Sequence, residues 1–211
     1  MSASVLVAQC LYRDTPGPAH LSFARMAAHA AAAGVAVELE AAQDARIDVA
    51  RNVLAAEALR RGAGHILYVD DDVVLPPDAL VRLLARDVPV VSGVYYRRRP
   101  PFEPFAGYFD ADTFDLAPTS CVATVEPGLQ RVGWVGAGCL LIRCDVLWQM
   151  HQHFGDCAWF LSSPAEDVFF CHRLAEMGVP VYLDGDVQCG HVSQTIVTGE
   201  HFRHAAAEVA A

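Results

Sequence analysis

The chain has 211 residues, 54% of them hydrophobic, and a formal charge of −10 at pH 7. That size and apolar content fit one folded domain with a sizeable core and exclude a disordered chain. The negative balance opposes nonspecific attraction to nucleic acid, and all 15 basic residues are arginine, which excludes a Walker phosphate loop, a pyridoxal Schiff base and a lysine general base.

Ser4 to Leu11 reads as a buried strand, followed by a Pro-Gly-Pro loop and an alanine-rich helix from about Ala19 to Ala33, stopped by Gly34. Val35 to Ala41 alternates as a second strand. A helix over Ile47 to Arg61 puts Ile47, Ala50, Leu54 and Ala58 on one face and ends at Gly62. His65 to Val69 is the third strand, Pro77 to Ala85 a helix and Val88 to Ser92 a fourth strand. This β-α-β-α-β order predicts right-handed crossovers and a mostly parallel, doubly wound sheet flanked by helices. From Tyr95 to Leu129 the pattern becomes aromatic, acidic and proline-dotted, without helical periodicity, and predicts loops and short strands. Strands return at Arg131 to Val135 and Cys139 to Arg143, around Gly136-Ala137-Gly138, with a short helix through Leu147. A final helix is expected from about Pro164 to Glu176, then strands at Val181 to Leu183 and Val187 to Cys189. The whole chain, 1–211, reads as one domain without repeats or linkers.

The seven cysteines (Cys10, Cys121, Cys139, Cys144, Cys157, Cys171 and Cys189) form no Cys-x-x-Cys pair, and their odd number fits reduced core thiols better than a disulfide framework. No apolar run reaches the roughly 18 residues a spanning helix needs, and the start of the chain lacks a basic, signal-like stretch, so a cytoplasmic enzyme without a membrane span is the expectation.

Three acids in a row, Asp70-Asp71-Asp72, stand where the third strand ends. If the strand's alternation persists, Asp70 and Asp72 point the same way, and two hard oxygen donors converge on one Mg²⁺ or Mn²⁺ beside a bound phosphate. The alternative is a solvated acidic turn that caps the next helix. His191, at a strand end in Cys189-Gly190-His191, offers a nitrogen ligand to the same cation, although a lone histidine is more often simply satisfied. In Ser163-Pro164-Ala165-Glu166-Asp167, Ser163 reads as a helix cap and Glu166 as the partner that completes a capping box. Asp167 is not needed for that box and is free to take a proton from an acceptor hydroxyl. Gly136, Ala137 and Gly138 are either a turn between packed strands or a small-residue space for a sugar. Arg51 and Asn52 are either polar residues on an exposed helix face or, for Arg51, a guanidinium that contacts phosphates or braces the aspartates. Arg97-Arg98-Arg99, flanked by tyrosines and prolines, suits a lid over an anionic ligand, with a solvated loop as the alternative.

Taken in order, Ala50-Arg51-Asn52, Tyr68-Val69-Asp70-Asp71-Asp72, Ser92-Gly93, Gly136-Ala137-Gly138-Cys139-Leu140-Leu141-Ile142, Glu166-Asp167-Val168-Phe169-Phe170 and Gly190-His191-Val192 resemble a GT-A glycosyltransferase of the family 2-like group. The likeness covers nearly the whole chain. It implies a GT-A, Rossmann-like single domain, with a nucleotide-binding half over 1–94 and an acceptor and catalytic half over 95–211. It implies a metal-dependent hexosyltransferase moving a sugar from a nucleotide-diphosphate sugar, UDP favoured, to a hydroxyl acceptor with inversion. Asp70, Asp72 and His191 would be the metal ligands, Asp167 with Glu166 the catalytic carboxylates, and Gln9, Arg51, Asp70, Asp71 and Gly136 to Gly138 the nucleotide-sugar contacts. The uridine would lie near Gln9, under the loop of Gln43 and Asp44. The chain is short for this family and shows no separate acceptor domain, so 95–130, 151–163 or a second copy in a homo-oligomer would complete the acceptor site. A nucleotidyltransferase of similar fold and a noncatalytic nucleotide-sugar-binding module are the other readings, the former disfavoured because Gln9 to Gly17 is poor in glycine.

Overall fold

The computed structural model describes residues 3–12, 15–109, 120–155, 159–162, 165–193 and 196–209. In chain order the elements are β1 (Ser4–Leu11), α1 (Gly17–Ala32), β2 (Ala36–Gln43), α2 (Ile47–Arg61), β3 (His65–Asp70), β4 (Val73–Val74), α3 (Ala79–Ala85) and β5 (Val90–Val94). They continue with β6 (Ala106–Tyr108), β7 (Ser120–Cys121), β8 (Leu129–Val132), β9 (Trp134–Val135), β10 (Cys139–Arg143), α4 (Cys144–Phe154), α5 (Glu166–Glu176), β11 (Val181–Gln188), β12 (Gly190–Val192), β13 (Ile196–Val197) and α6 (Gly199–Val209).

A seven-stranded sheet in the order β2-β1-β3-β10-β5-β11-β8 forms the centre. β1, β2, β3, β5 and β11 run one way, while β10 and β8 oppose them. The expected mostly parallel sheet is therefore present, with one insertion: β10 lies between β3 and β5, antiparallel to both, and begins after Gly136-Ala137-Gly138 with Cys139 opposite Val69 near the carboxyl end of β3.

The inner strands read as continuous apolar runs because both faces are covered. Leu6, Ala8, Ile66, Tyr68, Leu140 and Ile142 pack with Leu54 of α2, Leu147 of α4 and Phe170 of α5. The alternate residues Val5, Val7, Leu67, Val69 and Leu141 pack with Phe23 and Met26 of α1 and Leu80 and Leu83 of α3. α2 ends where Gly62 adopts the left-handed conformation at φ 68°, which a glycine enters without a Cβ penalty.

Three expectations are corrected. The helix at 166–176 is not the last: α6 follows, its Phe202 stacked on Tyr96 at 5.8 Å. The strand expected over 131–135 divides, β8 joining the large sheet and β9 a small one with β6 and β7. The two strands expected at 181–183 and 187–189 are one strand, β11, with an irregularity between Asp184 and Gln188. No described helix is long and apolar enough to cross a membrane.

Candidate active site

The carboxyl ends of β1, β3 and β5 open into one cleft of about 830 Å³, the position where open α/β sheets bind ligands. β3 stops at Asp70, and Asp71 and Asp72 form the turn into β4. Strand alternation therefore does not carry through to Asp72, and the two outer acids of the run meet different partners. Asp70 Oδ1 accepts a hydrogen bond of 2.9 Å from Arg51 Nη2, while Arg51 Nη1 donates to Glu166 Oε1. The Arg51 side chain is only 2% exposed, so α2 supplies a buried cation that ties β3 to the start of α5. Burial opposes that charge, but the carboxylates of Asp70, Glu166 and Asp167 outweigh it and hold the guanidinium above its ordinary pKa. Its Nε has no hydrogen-bond partner among the described residues. Arg51 is thus not a solvated polar residue of the helix face but the buried partner of Asp70 and Glu166.

Asp72 faces the second half of the chain. β12 pairs with β4 with His191 opposite Val73, and Val192 N–H donates to the Asp72 carbonyl at 2.8 Å. This register brings His191 Nε2 to 3.3 Å from Asp72 Oδ1. His191 Nδ1 lies 2.7 Å from the Tyr96 carbonyl, which only accepts, so Nδ1 carries a proton. In the neutral ring Nε2 is then a lone pair aimed at a carboxylate oxygen. Two acceptors at that distance require a proton or a cation between them, and the donor pair fits a divalent ion. Among the described residues, no group of three or more His, Cys, Asp or Glu is placed to hold a metal. The other oxygen of Asp72, Oδ2, accepts from Arg98 Nη1 at 2.8 Å. Burial raises the Asp72 pKa, but the His191 and Arg98 contacts reverse this and hold it below the usual value.

Asp167 lines the same cleft from the first turn of α5. Its Oδ1 accepts from Val168 N–H at 2.8 Å. Burial first, then the neighbouring Glu166 charge, pushes its carboxyl up to about 6, against the pull of Arg51. The capping box is corrected in part: α5 has Ala165 at its cap position with no side-chain capping bond, and Glu166 is turned to Arg51. Ser163 and Pro164 lie outside the described residues.

Gly136 and Gly138 give room to Tyr95. A Cβ on Gly136 would stand 2.0 Å from Tyr95 Oη, and one on Gly138 would meet Tyr95 Cζ at 2.9 Å and Asp70 Oδ2 at 3.1 Å. Gly138 N–H donates to Tyr95 Oη at 3.1 Å. The small-residue run thus seats an aromatic wall of the cleft, and Gly136, Ala137 and Gly138 themselves do not line it. Tyr95 stacks on Phe105 at 5.0 Å and meets His191 edge-on at 5.5 Å. Gln9 is buried in β1 and also off the lining, whereas Cys10 and Tyr12 are on it, and Tyr12 N–H donates to Asp71 Oδ2 at 3.0 Å. Cys10, Leu11, Tyr12, Ala45, Ile47 and Ala50 shape a small apolar recess beside the cleft. Gln43 and Asp44 belong to neither. Asn52 is not a solvated polar residue: its amide donates to the Phe160 carbonyl at 2.7 Å and accepts from Phe160 N–H at 3.1 Å.

Cys10, Tyr12, Ile47, Tyr95 and Phe105 were not singled out by pattern. The available signal was position: Tyr12 and Tyr95 come directly after the carboxyl ends of β1 and β5.

No protein-family model matches the chain, and no curated protein sequence does. Among solved structures it is similar to A197 from STIV, at TM-score 0.59 and 14% identity over 90% of this chain and 86% of that one. It is also similar to a point variant of the Drosophila β1,4-galactosyltransferase 7 solved with manganese, UDP-Gal and xylobiose, at TM-score 0.52 and 16% identity over 86% of this chain and 65% of that one. With its central sheet, flanking helices and acidic cleft at the strand ends, the chain has a GT-A-like fold.

Proposed function

We propose that the protein is a glycosyltransferase that moves a sugar from a nucleoside-diphosphate sugar, a UDP-sugar first, to a hydroxyl acceptor with inversion. The observation that carries this reading is Asp167: a carboxylate in the same cleft as Asp70 to Asp72 and His191, with its pKa raised to about 6. A base poised near neutral pH suits removal of a proton from an alcohol as its oxygen becomes nucleophilic. The acceptor oxygen attacks the anomeric carbon, its proton passes to Asp167, and the bond to the diphosphate breaks with its electrons leaving on phosphate. Arg51 and Glu166 hold Asp70 and the α5 start in place. Asp72 and His191 would hold Mn²⁺ or Mg²⁺, which when bound would offset the charge of the diphosphate in an otherwise acidic cleft. Tyr12 and the apolar recess of Cys10, Ile47 and Ala50 offer a ring-sized surface for the base, in place of the expected Gln9 side. The nucleotide-facing residues come from 1–94 and the base and histidine from 95–211, in keeping with a division of labour between the two halves. The similar Drosophila structure contains manganese and UDP-Gal, which supports the same ligands here.

Purified protein incubated with Mn²⁺, UDP-sugars and a panel of hydroxyl acceptors should release UDP and form product of inverted anomeric configuration. Asp167→Asn should bind UDP and Mn²⁺ as wild type does and lose about 10²- to 10⁴-fold in rate. Wild-type turnover in this variant, or a retained configuration, removes Asp167 as base. Release of pyrophosphate from a nucleoside triphosphate and a sugar phosphate would identify a nucleotidyltransferase instead.

A further inference from the structure

The segment between β5 and β6 is the one sequence feature, Arg97-Arg98-Arg99, that the reading above leaves without a role. It folds back on itself: Arg97 N–H donates to the Glu103 carbonyl at 2.8 Å and Phe105 N–H to the Tyr95 carbonyl at 2.9 Å. Arg97 is directed along this loop, to Glu103 at 3.5 Å and over the Phe105 ring at 5.3 Å. Arg98 turns the other way, into the cleft, and takes Asp72. Its side chain is 53% exposed, against 20% for Asp72, so the guanidinium has solvent and room on its outer side.

Asp72 has two oxygens with two different partners, Oδ1 toward His191 and Oδ2 toward Arg98. A divalent cation seated between Asp72 and His191 needs the carboxylate's charge, which Arg98 already shares. Two cations around one carboxylate also repel each other, so gain by one is loss by the other. A guanidinium released from Asp72 stays tethered at the mouth of the cleft, where its planar fork suits phosphate oxygens in two-point contact.

We propose that Arg98 is an exchangeable latch: it neutralises Asp72, gives that carboxylate up to a divalent cation, and then pairs with the diphosphate of the donor. The inference rests on the glycosyltransferase reading for the identity of the anion, but not for the competition at Asp72. It makes Arg98 oppose the ion and favour the nucleotide. A residue that merely braced the loop would do neither, and a general electrostatic effect of removing a positive charge would weaken nucleotide binding without requiring Asp72.

Calorimetric titration of the full chain with MnCl₂ alone, and then with UDP at saturating Mn²⁺, tests both halves. Arg98→Ala should bind Mn²⁺ about two- to fivefold more tightly than wild type, the range expected for loss of a half-exposed ion pair, and UDP about tenfold or more weakly. In an Asp72→Asn background the Mn²⁺ gain from Arg98→Ala should vanish, which places the competition at that carboxylate. Arg98→Lys should keep the Mn²⁺ affinity near wild type and recover only part of the UDP affinity, because an ammonium lacks the fork. Equal Mn²⁺ affinity in wild type and Arg98→Ala overturns the latch while leaving the metal site intact. A gain that survives Asp72→Asn overturns it as well. Absence of Mn²⁺ binding in both proteins overturns the latch together with the metal-dependent reading.

Discussion

Arg51 is the residue on which the acidic wall of the cleft depends, since among the described residues it is the cation that contacts both Asp70 and Glu166. Its side chain is buried and its charge is offset by those two carboxylates and by nearby Asp167. Removing it leaves two partly buried acids facing each other without a cation. Arg51→Ala should therefore cost about 3–5 kcal/mol of stability, the range for breaking one side of a buried ion pair, measured by urea unfolding at pH 7. Arg51→Lys should recover little, because one ammonium cannot span both carboxylates at once. Asp167 has the opposite relation to stability. Its carboxyl, pushed up to about 6 in the fold, lies above the ordinary aspartate value of about 3.9, so the folded chain holds a proton that the unfolded chain has released between those pH values. Its contribution to stability falls as pH rises through that window and is unfavourable above it, by roughly 3 kcal/mol at most. Asp167→Asn should raise the unfolding free energy at pH 7 and leave it nearly unchanged at pH 4. Equal effects at the two pH values would show that the carboxyl titrates at its ordinary value in the fold.

The elements meet at the cleft through a few polar contacts between segments far apart in the chain. Asn52 on α2 closes two hydrogen bonds on the backbone of Phe160, whose ring stacks on Phe170 of α5 at 4.6 Å. That contact ties α2, through Phe160, to the helix that carries Glu166 and Asp167. Asn52→Ala leaves a peptide N–H and C=O without their partners and should cost about 1–3 kcal/mol, with faster amide exchange at Phe160 than elsewhere in the core. The same logic explains which elements were legible. β1, α2, β3 and β5 announce themselves because their apolar period comes from burial against neighbours on both faces or one. α6 does not: its one aromatic anchor, Phe202, gains its meaning from Tyr96, a hundred residues earlier. The start of α5 was expected to rest on a capping box, a local device, and instead its glutamate serves a long-range ion pair.

At the scale of the whole molecule, one cleft joins the two halves of the chain, so a ligand that fills it should stabilise the fold as a unit. UDP and Mn²⁺ together, at about 100 times their dissociation constant, should add roughly 2.7 kcal/mol. For a domain of this length that is a rise in Tm of about 5–10 °C by scanning calorimetry. UDP with a chelator should give little or none of it, and an equal rise without metal would separate nucleotide binding from the Asp72–His191 pair. The sequence by itself determined the α/β class, the sheet's predominant direction and the position of the acids at a strand end, because all three follow from local periodicity and from which residues interrupt it. It also brought Asp70 to Asp72, Asp167 and His191 forward as chemistry-bearing residues, and all of them line the cleft. Only the tertiary structure decided how they are paired. A turn at Asp71 and Asp72 ends the strand's alternation, β12 beside β4 puts His191 against Asp72, and α2 inserts Arg51 between Asp70 and Glu166. The antiparallel β10, and Tyr95 seated over Gly136 and Gly138, belong to the same category. These are contacts across tens to more than a hundred residues, and their register is set by which surfaces pack together, a quantity that no local pattern of residues encodes.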